Sequence, residues 1–264
     1  MNSPEHPQSE RHILSQINIA ELKSTNTFLI SETNDISVLQ SDNGKRYVKR
    51  SLADYENNHT VLINYLATQE FPAVGFVGTV RGRTMHEQAM HMRRLALLRL
   101  GSAVPVYTDE TSMLYPYIEG ETLRAKLEQG ETDSILPTLN SIKRGHNLGL
   151  RHGDRHPRNI IIQPDGNVMH IDFEVATHGP DAENLELTHL IYAMAGVSSK
   201  FEETTALVGQ FTEDQRDRYD WGRIAVLMQN YDIYLREHPV GKFKKTKIPR
   251  LGEKLPFVLN TIAR

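Results

Sequence analysis

Three polar side chains flank one predicted β-hairpin at spacings that could bring them together. Ile160–Ile162 is a β-branched apolar run and residues 168–171 form a second apolar run, with the turn sequence Pro-Asp-Gly-Asn between them. Strand-forming runs joined by so short a turn predict an antiparallel pair. Asp154 and Asn159 precede the first strand, and Asp172 follows the second. All three can therefore converge at one end of the hairpin.

An acid, an amide and a second acid in this arrangement suit the transfer of a phosphoryl group. Asp154 can orient a hydroxyl group and accept its proton. The amide oxygen of Asn159 and the carboxylate of Asp172 can hold Mg²⁺, which prefers hard oxygen ligands and keeps several waters. A magnesium ion there would bridge phosphate oxygens and offset the charge that develops on them. We therefore expect Asp154 to be the catalytic residue, and Asn159 and Asp172 to be metal ligands.

The segment that carries these residues resembles the protein-kinase-like superfamily. Residues 152–159 read His-Gly-Asp-Arg-His-Pro-Arg-Asn and residues 172–174 read Asp-Phe-Glu, a combination most similar to the aminoglycoside and choline kinase branch. RIO-type kinases and the small kinase of the tRNA-threonylcarbamoylation complex share the His-Gly-Asp and the later aspartate. The resemblance implies an α+β fold with two lobes, a small antiparallel-sheet N-lobe and a mainly helical C-lobe. It also implies ATP and Mg²⁺ as cofactors.

The same resemblance implies a division of the chain into lobes. Residues 1–264 would form a single kinase-like domain, with an N-lobe at about 20–115 and a helical C-lobe at about 120–264. Residues 50–83 would be an insertion in the N-lobe that carries its own helix. The N-lobe contains a predicted hairpin around an Asn-Gly turn, which accepts two positive φ values.

The third predicted strand ends in Lys49, which resembles the lysine that contacts the α- and β-phosphates in kinases. Kinases pair this lysine with a glutamate on a following helix. Glu56 and Glu87 both lie in helical-looking stretches, and we favour Glu87 because its stretch has the stronger helical pattern. The loop between the first two strands departs from the family, because it lacks glycine and carries Glu32 and Asp35. Carboxylates beside a triphosphate are repulsive unless a metal intervenes.

Residues 114–120 resemble the hinge between the two lobes. Adenine binding there needs a backbone carbonyl and, two residues later, a backbone N–H. Pro116 can supply only the carbonyl, since proline has no N–H, and Ile118 can supply the donor. A strand with aromatic packing explains the same residues, so both interpretations stay open.

Four further residues near the catalytic segment have more than one possible role. We expect His152 to brace the loop by hydrogen bonding. Arg155 or Arg158 could place positive charge near the transferring phosphoryl group, although surface arginines are equally expected. Glu174 could assist the metal or stabilise the fold.

Composition and charge narrow the class of protein. A hydrophobic content of 39% fits a globular chain, and a net charge of −3 provides no global basic field for nucleic acid or membrane. There is no cysteine, no secretory signal and no apolar run of about 18 residues. These features predict a cytoplasmic protein with no membrane partner and no clear nucleic-acid partner. The basic run at residues 242–250 leaves an anionic partner possible there.

Three functions compete at this point. The leading hypothesis is an ATP- and Mg²⁺-dependent phosphotransferase that acts on a hydroxyl group, and the His-Gly-Asp-x-His-Pro-x-Asn pattern favours a small-molecule acceptor. The short segment after Asp172 also fits a RIO-like atypical Ser/Thr kinase. The glycine-free loop motivates a third hypothesis, a pseudokinase that binds a partner without catalysis. Retention of Lys49, Asp154, Asn159 and Asp172 argues against the third.

Overall fold

A computed structural model describes residues 23–30, 35–51, 55–238 and 251–263. The loop that carries Glu32 and the basic run at 242–250 lie outside the described residues.

The N-terminal part of the described chain is built on a five-stranded antiparallel sheet. Its strands are β1 (Lys23–Ile30), β2 (Asp35–Gln40), β3 (Arg46–Ser51), β5 (Tyr107–Thr108) and β6 (Ser112–Pro116). They lie in the order β1-β2-β3-β6-β5. Gly44 has a φ of 80°, which the tight turn between β2 and β3 requires. The predicted antiparallel sheet of the N-lobe is confirmed.

The segment between β3 and the next long helix has a structure of its own. It contains α1 (Tyr55–Tyr65), a π-helical turn (Leu66–Glu70), a short helical turn (Phe71–Ala73) and β4 (Thr79–Gly82). Strand β4 pairs with β10 (Val175–His178), which follows the catalytic segment. Phe71 and Val74 are buried in the core of the helical lobe. The segment is therefore joined to the helical part of the molecule.

Helix α2 (Met85–Leu97) packs its apolar face against the sheet. Ala89 and Met92 are buried beside Val48 of β3 and Met113 of β6. Spacings of three and four residues keep such side chains on one face of a helix. The helix thereby presents its first turns to the end of β3, where the phosphate side of the site is expected.

The rest of the described chain is mainly helical. Its helices are α3 (Leu123–Glu128), α4 (Ile135–Asn147), α5 (Ala182–Val197), α6 (Phe201–Asp214), α7 (Trp221–Glu237) and α8 (Leu255–Ile262). Helix α5 is buried along most of its length and forms the centre of this lobe. Within the described ranges, no helix has both the length and the apolar character that crossing a bilayer would require.

The predicted catalytic hairpin is present. Strands β8 (Ile160–Ile162) and β9 (Val168–His170) pair antiparallel, and β7 (Glu121–Thr122) adds a third strand. Gly166 occupies the turn with a φ of 84°. The hairpin therefore sets the separation between the loop that enters it and the segment that leaves it.

Candidate active site

Asp154 and Asn159 are linked directly on the loop that enters the hairpin. The side-chain amide of Asn159 donates to the backbone carbonyl of Asp154 at 3.0 Å and to its Oδ2 at 3.1 Å. Asn159 closes a short 3₁₀ turn, Pro157–Asn159, and is 4% exposed. Because both bonds use the amide nitrogen, the amide oxygen is the atom that can face a cation, as the predicted metal role requires.

The carboxylate of Asp154 lies among positively charged or hydrogen-bonding groups. His156 Nε2 is 3.2 Å from its Oδ1, and Arg158 Nη2 is 3.6 Å from its Oδ2. Burial alone would raise the pKa of Asp154, but His156 and Arg158 outweigh it and lower the pKa to about 2. Asp154 is therefore ionised at neutral pH and can orient a hydroxyl group.

His152 braces this loop from within the core, as expected from the sequence. Its Nε2 donates to the carbonyl of Ile171 at 2.6 Å, and its Nδ1 accepts from the backbone N–H of Asp154 at 3.3 Å. Burial lowers the pKa of His152 to about 3, so the ring is neutral and keeps one donor and one acceptor. One imidazole thus connects the catalytic loop to the strand that leads to Asp172.

The chain leaves the hairpin at Asp172, where the backbone conformation is strained. Its φ of 65° is unusual for a residue other than glycine. Strain of this kind persists only where the surroundings determine it, and it concentrates at functional sites. The carboxylate accepts from Arg50 Nη2 at 2.7 Å through Oδ1. Oδ2 of Asp172 and the amide oxygen of Asn159 are hard oxygen atoms of the type that Mg²⁺ prefers, and their role as metal ligands stays a prediction.

Arg50 occupies the position expected for Lys49. Its guanidinium also donates to Glu174 at 3.0 Å and to Gln88 of α2 at 3.3 Å. Burial opposes the charge of Arg50, but the carboxylates of Asp172 and Glu174 outweigh it and hold its pKa above the ordinary value. Glu174 is therefore an ion-pair partner of this arginine.

The predicted pair between Lys49 and Glu87 is not formed. Successive side chains of a strand point to opposite faces, so Lys49 lies on the face away from Arg50, beside Leu114 of the neighbouring strand. Glu87 accepts from the backbone N–H of Thr84 at 3.0 Å and so caps its own helix. Arg50 and Gln88, each one residue later, meet instead. The side chain of Glu56, the alternative partner, is outside the described structure.

The hinge residues lie at the end of the N-lobe sheet. Pro116 is the last residue of β6, and Ile118 packs its side chain into the core between α2 and the sheet. Between them, the N–H of Tyr117 donates to the carbonyl of Arg46 at 3.0 Å. A role for Pro116 and Ile118 in adenine binding stays a prediction.

Comparison with known proteins identifies the fold. No protein-family model matches the sequence, and no curated protein sequence matches it. An amicoumacin kinase, hAmiN, in complex with AMP-PNP, Ca²⁺ and Ami, has a similar structure, with a TM-score of 0.52 and 12% sequence identity. The match covers 96% of this chain and 91% of that one. The chain has a kinase-like fold. The predicted α+β fold class is confirmed.

A buried polar network from the helical lobe supports the loop that carries Asp154. Glu186 of α5 accepts from the backbone N–H of Gly153 at 2.8 Å and from Arg155 Nε at 3.2 Å. His146 Nε2 lies 3.1 Å from the same carboxylate. Arg155, which is 5% exposed, therefore braces the loop. Of the two arginines that the sequence offered as positive charge near the phosphoryl group, it is Arg158 that lies beside Asp154.

Arg83 joins the two halves of the site, and sequence reasoning did not find it. Its guanidinium donates to the carbonyls of Arg151 at 2.8 Å, His152 at 2.9 Å and Phe173 at 3.1 Å, and it also contacts the carbonyl of Val175. Burial lowers the pKa of Arg83 to about 10, so it stays charged at neutral pH. Arg83 lies between a strand and the cap of a helix, and no local sequence pattern predicts that an arginine there bonds to carbonyls so far along the chain.

The segment between β3 and α2 brings a second acid close to Asp154. Glu70 is partly buried on the π-helical turn, with 16% of its side chain exposed, and desolvation, together with the charge of Asp154, raises its pKa to about 8. Its Oε1 lies 3.9 Å from Nε2 of His189, whose ring stacks on His156 at 5.6 Å. Glu70, His189 and His156 thus form a row of titratable groups that ends at Asp154.

Proposed function

We propose that the chain is an ATP- and Mg²⁺-dependent phosphotransferase that moves the γ-phosphoryl group to a hydroxyl group of a small molecule. The observation that carries the proposal is that the loop holding an ionised Asp154 and its partner Asn159 is bonded to the segment that ends in the strained Asp172, since the backbone N–H of Ile171 donates to the carbonyl of Asn159 at 3.0 Å. These are the acid and the two metal ligands that phosphoryl transfer needs.

The roles of the residues follow from their positions. Bound Mg²⁺ would neutralise charge on the phosphates, held by Asn159 and Asp172. Asp154 would orient the acceptor hydroxyl, whose oxygen bonds to the γ-phosphorus while the bond from that phosphorus to the β–γ bridging oxygen breaks. ADP leaves, and the hydroxyl proton passes to Asp154. Because the pKa of Asp154 is about 2, this proton moves only as the new oxygen–phosphorus bond forms.

A small-molecule acceptor agrees with two observations. Only nine residues separate Asp172 from α5, which begins at Ala182, so the chain is too short here for a long activation segment. The solved kinase with a similar fold is in complex with a nucleotide analogue, a divalent metal ion and Ami. We infer the same classes of ligand for this chain.

A second candidate function is supported by Arg50. A guanidinium 2.7 Å from Asp172 competes with a metal ion for that carboxylate, which favours a pseudokinase that binds a partner without catalysis. The two candidates differ in whether Mg²⁺ increases nucleotide binding, since only the enzyme needs Asp172 as a metal ligand.

Two measurements test the proposal. Thermal unfolding with ATP and Mg²⁺ should show a metal-dependent rise in Tm that Asp172→Ala loses, since a ligand at a hundredfold excess over its Kd adds about 2.7 kcal/mol. Label from γ-labelled ATP should then enter the small-molecule fraction of a cell extract, and Asp154→Ala should abolish this transfer. Label in protein would favour the RIO-like alternative. Metal-independent binding without transfer would favour the pseudokinase.

A further inference from the structure

A cavity of about 420 Å³ lies away from the residues of the proposed phosphotransfer site. Its walls are the C-terminal end of α2, one face of α4 and the turn between β8 and β9. The volume is within the range of sites that hold small molecules. None of the residues assigned above to catalysis, metal or nucleotide lines it.

The cavity is lined by positive charge that nearby acids do not neutralise. Arg99, just after α2, and Arg144 of α4 both contribute to its wall, and no aspartate or glutamate does. In the part of the chain that the structure describes, neither arginine has a carboxylate partner, whereas arginines such as Arg124 and Arg218 form ion pairs. Two guanidinium groups at one cavity favour a ligand with negative charge, because their forked donors match carboxylate and phosphate oxygens.

The backbone at Arg99 is strained in a way that concerns this cavity. Its φ is 54°, and it is the second residue beyond α2, just after the C-cap Leu98, where its N–H bonds to the carbonyl of Ala96. Glycine is the usual residue there, because a Cβ atom is penalised at positive φ. The strained residue lines the cavity, and its backbone carbonyl accepts from Nη2 of Arg144, the second arginine of the cavity, at 3.5 Å.

The remaining walls combine polar and apolar groups. Asn140 and Ser141 contribute an amide and a hydroxyl, while Leu100 and Val168 contribute apolar surface. We propose that the cavity binds a small organic anion that carries a phosphate or carboxylate group. The two arginines would bind the charged group, and the apolar side chains would contact the carbon skeleton.

Hydrogen bonds connect the cavity to the phosphotransfer site. Ser141 Oγ lies 3.0 Å from the ring nitrogen Nε2 of His170. The backbone N–H of His170 donates to the carbonyl of Gly101 at 2.7 Å. The other ring nitrogen of His170 lies 2.9 Å from Arg155 Nη1, and Arg155 braces the catalytic loop. An anion that contacts Ser141 would therefore lie two hydrogen bonds from Arg155, although binding itself does not depend on the proposed activity.

Titrations that follow thermal unfolding test the proposal, with pyrophosphate and citrate as separate probes. They are run without magnesium and at constant ionic strength. We expect at least one probe to raise the Tm saturably in the wild-type chain. Arg99→Gly removes the guanidinium and relieves the strained φ, so this variant should fold as well as the wild type. Arg99→Gly and Arg144→Gln should each weaken binding about tenfold or more, and the effective probe identifies phosphate or carboxylate chemistry.

Two controls locate the response. Arg124→Gln/Arg216→Gln, which removes two exposed, ion-paired arginines elsewhere, should respond like the wild type. Arg50→Ala, which removes the guanidinium beside the proposed metal ligand Asp172, should also respond fully relative to its own Tm. Equal responses from Arg99→Gly and the wild type would overturn the proposal. So would loss of the response in Arg50→Ala, which would place the anion in the nucleotide site, or a shift that never saturates with either probe, which is a general salt effect.

Discussion

The two sides of the proposed site are built by different kinds of interaction. On the hairpin side, Asp154 and Asn159 are five residues apart and bond to each other directly. On the sheet side, Arg50 of β3 bonds to Asp172, and Gln88 of α2 bonds to Arg50, so this side forms only because separate elements pack together. Short-range contacts on one side and long-range contacts on the other should respond differently to mutation.

Asp154→Asn should produce the largest change in activity. It keeps the shape of the side chain but removes the charge that orients the acceptor, so we expect kcat to fall by about 10²–10⁴-fold while Mg²⁺-dependent ATP binding survives. Asp165→Asn, in the exposed hairpin turn, is the matched control and should retain full activity. Steady-state kinetics and nucleotide titration measure both. Undiminished kcat in Asp154→Asn would remove Asp154 from the mechanism.

Arg50→Ala should produce the largest loss of stability. It leaves the carboxylates of Asp172 and Glu174 without their buried partner, and breaking a buried ion pair costs about 3–5 kcal/mol. Arg46→Ala, in an exposed pair with Glu119, should cost no more than about 1 kcal/mol. Chemical denaturation of both variants gives the comparison. Equal losses would show that Arg50 does not support the metal aspartate.

The sequence predicts the strands and the turn of the hairpin side correctly. On the sheet side it favours Lys49, whereas the next residue, Arg50, is the one that bonds to Asp172. The catalytic loop and hairpin depend on turn chemistry and apolar runs within about twenty residues, so their geometry is local. Whether Lys49 or Arg50 enters the site depends on which face of β3 packs on α2. The alternation does not decide between them, since each shares its face with a buried apolar side chain, Tyr47 for the first and Val48 for the second. Arg83 meets the catalytic loop across 69 residues, and no local pattern carries that information.

Arg83→Gln should affect both sides of the site at once. It leaves buried carbonyls at His152 and Phe173 without their donor, which costs about 1–3 kcal/mol for each unsatisfied group, before relaxation. The separation of Asp154 and Asp172 should then relax, so kcat should fall about tenfold or more at temperatures where the variant is fully folded.

Arg81→Ala is the matched control for Arg83→Gln, because Arg81 lies two residues earlier on β4 and is half exposed. Its loss should change neither stability nor kcat substantially. Retention of wild-type kcat by a folded Arg83→Gln, with a normal Mg²⁺ requirement, would reduce Arg83 to a purely stabilising role.

Glu70 should make stability depend on pH in a defined direction. Its pKa is raised from 4.5 to about 8 by burial and by Asp154, so the folded state binds this proton more tightly than the unfolded state. Its contribution is therefore full below about pH 4.5 and is lost as pH rises to about 8. Glu70→Gln should flatten this part of the stability profile, by an amount on the order of 1–3 kcal/mol.

The exposed Glu110→Gln is the control for Glu70→Gln and should leave the profile unchanged. Denaturant midpoints at pH 5, 6.5 and 8 are sufficient. The denaturant midpoint could instead rise between pH 5 and 8 by the same amount in the wild type and in Glu70→Gln. That result would show that Glu70 is ionised in the folded state.

Lys49→Ala should produce the smallest effect, and it tests the sheet side most sharply. Lys49 is one residue from Arg50 but lies on the opposite face of β3, so its removal should change stability by less than about 0.5 kcal/mol and the Kd for ATP by about twofold at most. Comparison of Lys49→Ala with Arg50→Ala shows how much each face of β3 contributes to stability and to ATP binding. A tenfold loss of ATP affinity in Lys49→Ala would instead show that the phosphates approach the other face of the sheet, and that the Lys49 assignment made from the sequence describes the bound state.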